Sequence, residues 1–234
     1  MISEKLQELY ELHKRQLSPN EHFVPCGVVD QEAYESSTPK LVFLLKEVND
    51  PKQTPGWSMV GFLQDQVKRG LSRQSIKPVM WKELGIWSYA IHNNFPRYRD
   101  INTDQAAAEG LKCVGMTNLK KSGGGGKAID RVIREYAAKT IELWKSELEI
   151  MNPDIIICCG TFWIVAPLLG LTPNRTATGW FYSSWKHGNG KSLLVSTYHP
   201  AIRGRKDMLY AFLKEGLLEL QERGFWRGYG HPTL

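Results

Sequence analysis

The chain has 234 residues, 42% of them hydrophobic and 23% charged, a globular balance that excludes disorder as the main state and supplies a core without disulfide staples. Its 30 Lys and Arg against 24 Asp and Glu leave a net charge of +6, a mild basic excess that favours a polyanionic partner. No apolar run approaches the ~18 residues of a membrane span, and at roughly 100–200 residues per domain a single domain is expected over 1–234.

The amphipathic N-terminus predicts a helix over residues 2–17, with Ile2, Leu6, Leu9 and Tyr10 on one face. It lacks the apolar core of a signal peptide, so the expected location is the cytoplasm. Polar sequence runs on to Lys40, and residues 1–40 read as an N-terminal helical extension. Leu41–Leu45 is a continuous apolar run, the mark of a strand buried on both faces. It ends in the polar loop Lys46-Glu47-Val48-Asn49-Asp50-Pro51, and Pro55-Gly56 marks a further turn. Helices are predicted over 59–71, 79–92 and 104–112, the last capped by Thr103. A second strand, Cys113–Thr117, leads into Asn118-Leu119-Lys120-Lys121, then Ser122 and the glycines at 123–126. A long helix over 127–150 stops before Pro153, and Ile155–Cys159 is a third strand followed by a helix over 161–169. Trp180–Trp185 and Ser192–Tyr198 read as a hairpin around His187-Gly188-Asn189-Gly190. The last strand ends in His199-Pro200, and a helix over 206–223 follows.

Strands alternating with helices predict an α/β fold, a three-layer α/β/α sandwich with a central, mainly parallel, four-stranded sheet. Such sheets bind ligands beyond the carboxyl ends of their strands. Polar residues stand at three such ends: Glu47 with Asn49 and Asp50, then Asn118 with Lys120, then His199. Glu47 could activate a water or be a solvated loop carboxylate. Asn118, whose amide both donates and accepts, suits a nucleobase edge or a backbone turn. The glycines at 123–126, with Lys120, Lys121 and Lys127 around them, could grip phosphate through backbone N–H groups or form a mobile loop, and they are not a Walker A motif. His199 could donate to a developing anion, with Arg203 and Arg205 holding phosphates, or be a packed loop histidine.

The cysteines Cys26, Cys113, Cys158 and Cys159 show no C-x-x-C spacing, and adjacent strand residues point to opposite faces, so free buried thiols are expected and neither metal nor cofactor. The chain has no G-x-S-x-G elbow, no H-E-x-x-H, no G-x-G-x-x-G after the first strand and no zinc-deaminase pattern, which argues against those enzyme classes.

Taken in order, the segments resemble the uracil-DNA glycosylase superfamily, nearest its iron–sulfur-type branch. Leu45-Lys46-Glu47-Val48-Asn49-Asp50 stands where that branch ends a strand in G-E-A-P-G. Gly56-Trp57-Ser58-Met59-Val60-Gly61 looks like G-R-P-F-V-G, Thr117-Asn118-Leu119-Lys120 is similar to T-N-V-V-K, and Pro153–Gly160 to P-x-V-I-V-x-x-G. Thr197-Tyr198-His199-Pro200-Ala201 looks like T-Y-H-P-A and is the sharpest of the matches. The resemblance covers about residues 41–205. It implies a DNA glycosylase of base excision repair, a hydrolase acting on uracil or a related damaged base extruded from the helix. Glu47 would position the water, Asn118 would read the base edge, and His199 would stabilise the leaving base. The family's stacking Phe falls on Met59, with Trp57 or Phe62 as substitutes. Asn49 would take the role of Glu47 if the register slips. The cluster cysteines are missing, so no iron–sulfur cluster is expected. DNA, single-stranded or damaged, is the expected partner of a monomeric protein. The altered first motif keeps open a catalytically silent nucleic-acid-binding module, and a nucleotide-processing α/β enzyme stands third.

Overall fold

The structure, a computed structural model, describes residues 1–15, 17–188, 190–202 and 204–227. Its first helix, α1 (Ile2–Lys14), buries Leu6, Leu9 and Tyr10. The polar stretch that follows is not featureless: it holds a two-residue strand, β1 (Gly27–Val28), and a short helix, α2 (Gln31–Ser36), whose Asp30 cap accepts the Ala33 N–H. The apolar run then forms β2 (Leu41–Leu45), buried at every residue, and the chain pairs briefly again as β3 (Val48–Asn49). Three helices match the sequence pattern end to end: α3 (Met59–Leu71), α4 (Val79–His92) and, after a single turn α5 (Tyr98–Ile101), α6 (Asp104–Lys112). Thr103 caps α6 by accepting the Ala106 N–H at 3.0 Å. The second main strand, β4 (Val114–Asn118), sits one residue later than expected and takes in Asn118. A glycine strand, β5 (Gly123–Gly124), precedes α7 (Asp130–Met151), β6 (Ile155–Cys159) and α8 (Phe162–Leu168). The chain closes with β7 (Asn174–Arg175), β8 (Phe181–His187), β9 (Gly190–Thr197) and α9 (Lys206–Glu222).

Seven strands form one sheet in the order β1-β4-β2-β6-β9-β8-β7. The expected four-stranded sheet is its parallel centre, β4-β2-β6-β9, while β1, β8 and β7 add antiparallel edges. The expectation fell short by three: β1 and β7 are two residues each, too short to carry any periodicity, and the hairpin arm read at Trp180–Trp185 joins the same sheet as β8.

Alternation along β2 separates two cores. Leu41, Phe43 and Leu45 face the helices α3, α4, α6 and α9. Val42 and Leu44 face α1, α7 and α8 on the other side. Helices therefore cover both faces of the sheet, and the part of the chain read as an extension supplies both an edge strand and a helix of the second core. On the first face α4 and α6 come close enough that a Cβ on Gly110 would stand 2.0 Å from the Gly85 carbonyl oxygen. Only glycine allows that crossing, which is why the two helices pack backbone to backbone. Among the described residues no helix is long and apolar enough to cross a membrane.

Candidate functional site

The parallel strands β4, β2, β6 and β9 all end at one edge of the sheet, and a cleft of about 1330 Å³ opens there. Its walls are the loop after β2, the start of α3, residues 125–130 and the turn after β9. Glu47, Asn49, Trp57, Met59, Phe62, Lys127 and His199, which the sequence singled out separately, all line it. Glu47 and His199 follow β2 and β9, which are separated by β6 alone, so their backbones lie on the order of 10 Å apart at the usual strand spacing.

Glu47 is held from two sides. Parallel pairing of β3 with β5 puts Asn49 beside Gly124, and a Cβ on Gly124 would stand 2.1 Å from the Glu47 carboxyl carbon. The glycine is thus required by the carboxylate packed on it. From the other side Lys120 Nζ donates to Glu47 Oε2 at 2.9 Å and to the Gly123 carbonyl at 2.7 Å. Both side chains are largely enclosed, at 11% exposure for Lys120 and 8% for Glu47. The glycine segment is therefore not a mobile loop throughout: Gln53 also donates to the Gly123 carbonyl at 2.7 Å. Only Gly125 and Gly126 have open space around them.

His199 is fixed by its own turn. Its Nδ1 accepts the Ala201 N–H at 3.1 Å, so the ring proton of the neutral imidazole resides on Nε2. Burial, with the charges of Lys46 and Lys206 nearby, holds its pKa below the usual histidine value. Lys206 in turn donates to the Pro200 and Ile202 carbonyls at 2.6 and 2.9 Å, tying the turn to the first residue of α9. The result is a neutral hydrogen-bond donor at physiological pH.

Part of the lining is aromatic. The Trp57 and Phe62 rings are 6.0 Å apart, and Phe62 is 5.9 Å from Trp81. Ser58, between Trp57 and Phe62 in the chain, caps α3 by accepting the Gly61 N–H. Met59 lines the cleft but is only 1% exposed.

Other expected residues lie elsewhere. Asn118 is fully buried and outside the cleft lining, with its amide nitrogen 3.8 Å from Cys26 Sγ and its Oδ1 unpartnered among the described residues. Lys121 cannot meet a phosphate: it is 1% exposed and bonded to Glu147 at 2.5 Å and Thr117 Oγ1 at 2.6 Å. Lys120 is committed to Glu47 rather than to solvent. Arg205 is exposed, paired with Asp207 at 2.5 Å and outside the cleft lining. Arg203 lies outside the described residues.

Sequence reasoning missed Lys46, Trp81 and Thr54 as cleft residues. Lys46 pairs with Asp130 at 2.6 Å across 84 positions of sequence, and nothing local announces that partner. Among the described residues no group of three or more His, Cys, Asp or Glu converges on a metal-sized site. No protein-family model matches the sequence, and no curated protein matches it either.

Proposed function

We propose that the protein is a DNA glycosylase that hydrolyses the N-glycosidic bond of uracil or a related damaged base. One observation carries this reading: a carboxylate and a neutral imidazole donor share one cleft at the carboxyl ends of a parallel sheet, and aromatic rings line the same cleft. Breaking the bond leaves positive charge on the sugar and negative charge on the base. Glu47 answers the first and positions the attacking water, while His199 donates from Nε2 to the base oxygen as its charge develops. The extruded base stacks on Trp57 and Phe62. Its edge is met by groups that line the cleft, Asn49 among them, since Asn118 is enclosed.

The Lys120 ion pair supports a second reading, a catalytically silent nucleic-acid-binding module, because it engages one oxygen of the carboxylate that the chemistry needs. Turnover separates the two. Labelled oligonucleotides carrying one uracil, hypoxanthine, xanthine or oxidised base are incubated with protein and then treated with alkali to cut abasic sites. Cutting by wild type is expected, falling about 100-fold in His199→Ala for loss of one anion-stabilising donor. No cutting on any of these bases, with DNA binding retained, replaces the enzyme by the binding module.

A further inference from the structure

The sheet edge that carries the cleft continues past it. β8 runs antiparallel to β9, so Phe181, at the start of β8, lies beside the end of β9 and pairs with Arg175 of β7. α8 leaves β6 from the same edge and places Trp163 there. The Trp163 ring packs against Phe181 edge to face, with centroids 4.7 Å apart, yet the side chain remains 50% exposed. The Arg175 guanidinium lies over the Phe181 ring at 5.5 Å and is itself exposed. Tyr198, which immediately precedes His199, is 57% exposed. Lys46 joins these groups to the cleft: it lines the cleft, and a Cβ on Gly160 at the foot of α8 would stand 3.8 Å from its Cε.

Single exposed aromatics are ordinary on a protein surface. Two of them at one strand-end edge, each backed by a second ring (Trp163 by Phe181, and Tyr198 by Trp180 at 6.5 Å), with the Arg175 guanidinium beside them and the cleft at the same edge, are a different feature. Two carboxylates lie near it and both are engaged: Asp130 pairs with Lys46 at 2.6 Å, and Glu219 accepts the Ala177 N–H at 2.9 Å and pairs with Arg223 at 3.3 Å. The ligand that suits such a surface has flat π faces and a repeated negative charge, and the net charge of +6 favours the same class.

We propose that this edge is a stacking platform for unpaired nucleic acid, with bases on Trp163 and Tyr198 and a phosphate on Arg175. Base stacking on aromatic rings tolerates any sequence because every base has a π face. From β2 to β7 the edge crosses four strand spacings, roughly 19 Å, or about five nucleotides at the rise of one duplex strand. The platform needs no bond to be broken, so it goes beyond the glycosylase reading and stands or falls separately from it.

Fluorescence anisotropy with a labelled, undamaged oligothymidine of about twelve nucleotides tests it. Trp163→Ala is expected to weaken single-strand binding about tenfold, and Trp163→Phe to restore most of it. Arg175→Ala is expected to flatten the salt dependence by about one phosphate contact. A duplex of the same sequence should not respond to Trp163→Ala. Wild-type affinity in Trp163→Ala, an equal loss on duplex, or no recovery in Trp163→Phe overturns the platform, as does a wild type that binds no oligonucleotide. If Trp163→Ala does not fold, the exposed Arg175→Ala alone decides by its salt slope. His199→Ala that releases no base but keeps single-strand affinity leaves the platform standing. Base release by wild type with binding indifferent to both variants removes the platform and leaves the glycosylase.

Discussion

Lys120 and Lys121 are adjacent in the sequence, and each is held by a different carboxylate: Lys120 by Glu47 at the cleft, Lys121 by Glu147 in the second core. The Lys121 pair is the more deeply enclosed, at 1% and 0% exposure, and Thr117 Oγ1 and the Tyr10 hydroxyl complete its hydrogen bonds. Attraction inside a low-dielectric core offsets the cost of dehydrating both charges only while both are present. Lys121→Met strands the Glu147 carboxylate, and a loss of about 3–5 kcal/mol is expected in urea unfolding. The double variant Lys121→Met with Glu147→Leu should recover most of it, because two apolar groups carry no uncompensated charge. If the double variant is as unstable as the single one, the pair is not what holds Lys121. Reading Lys121 as a phosphate contact failed for this reason: its partner lies 26 positions away, and a sequence does not distinguish a solvated lysine from a paired one.

At the scale of elements, the two-stranded ribbon β3–β5 decides where Glu47 stands. Gly124 lies so close that a methyl group there must displace the carboxylate and stretch its bond to Lys120. Gly124→Ala is expected to cost about 1–3 kcal/mol as overpacking, and to depress base release if Glu47 positions the water. Gly125→Ala and Gly126→Ala, with nothing within 4 Å, are the controls and should stay within about 0.5 kcal/mol of wild type. Thermal unfolding and the alkali assay read both effects; three equivalent alanine variants would exclude the clamp. The same ribbon marks what sequence leaves hidden. Helices α3, α4 and α6 were legible to the residue, because their apolar periodicity and the Thr103 cap are local signals. The strands β1, β3, β5 and β7 are two residues each and exist through their partners, so no period announces them. The cleft positions of Glu47 and His199 were readable because each stands two residues past the end of a strand, β2 at Leu45 and β9 at Thr197. The Lys120 clamp was not, because it depends on the register of β3 against β5.

Across the whole molecule the buried histidines set how the fold answers acid. His13, 2% exposed, packs between Tyr10 and Phe23, and its Nε2 has no partner among the described residues. Burial, with Lys121 adding to it and Glu147 opposing it, holds its pKa down to about 4. His92, His187 and His199 are displaced in the same direction, each chiefly by burial. A depressed folded pKa means that the unfolded chain takes up the proton first. The contribution of each group is therefore intact above the unfolded value near 6.5 and is lost as pH falls toward the folded one. For His13 alone, moving from pH 7 to pH 5 is expected to remove about 2 kcal/mol. Glu83, whose pKa burial raises, acts in the opposite sense at the acid end of that window. A single variant separates them. His13→Phe keeps an aromatic ring beside Phe23 and removes the titration, so its unfolding free energy in urea should change less between pH 7 and pH 5 than that of wild type, by about 2 kcal/mol. Equal slopes in the two proteins would mean that His13 takes up its proton in the folded state as readily as in the unfolded one, and the acid response would then rest on His92, His187 and His199.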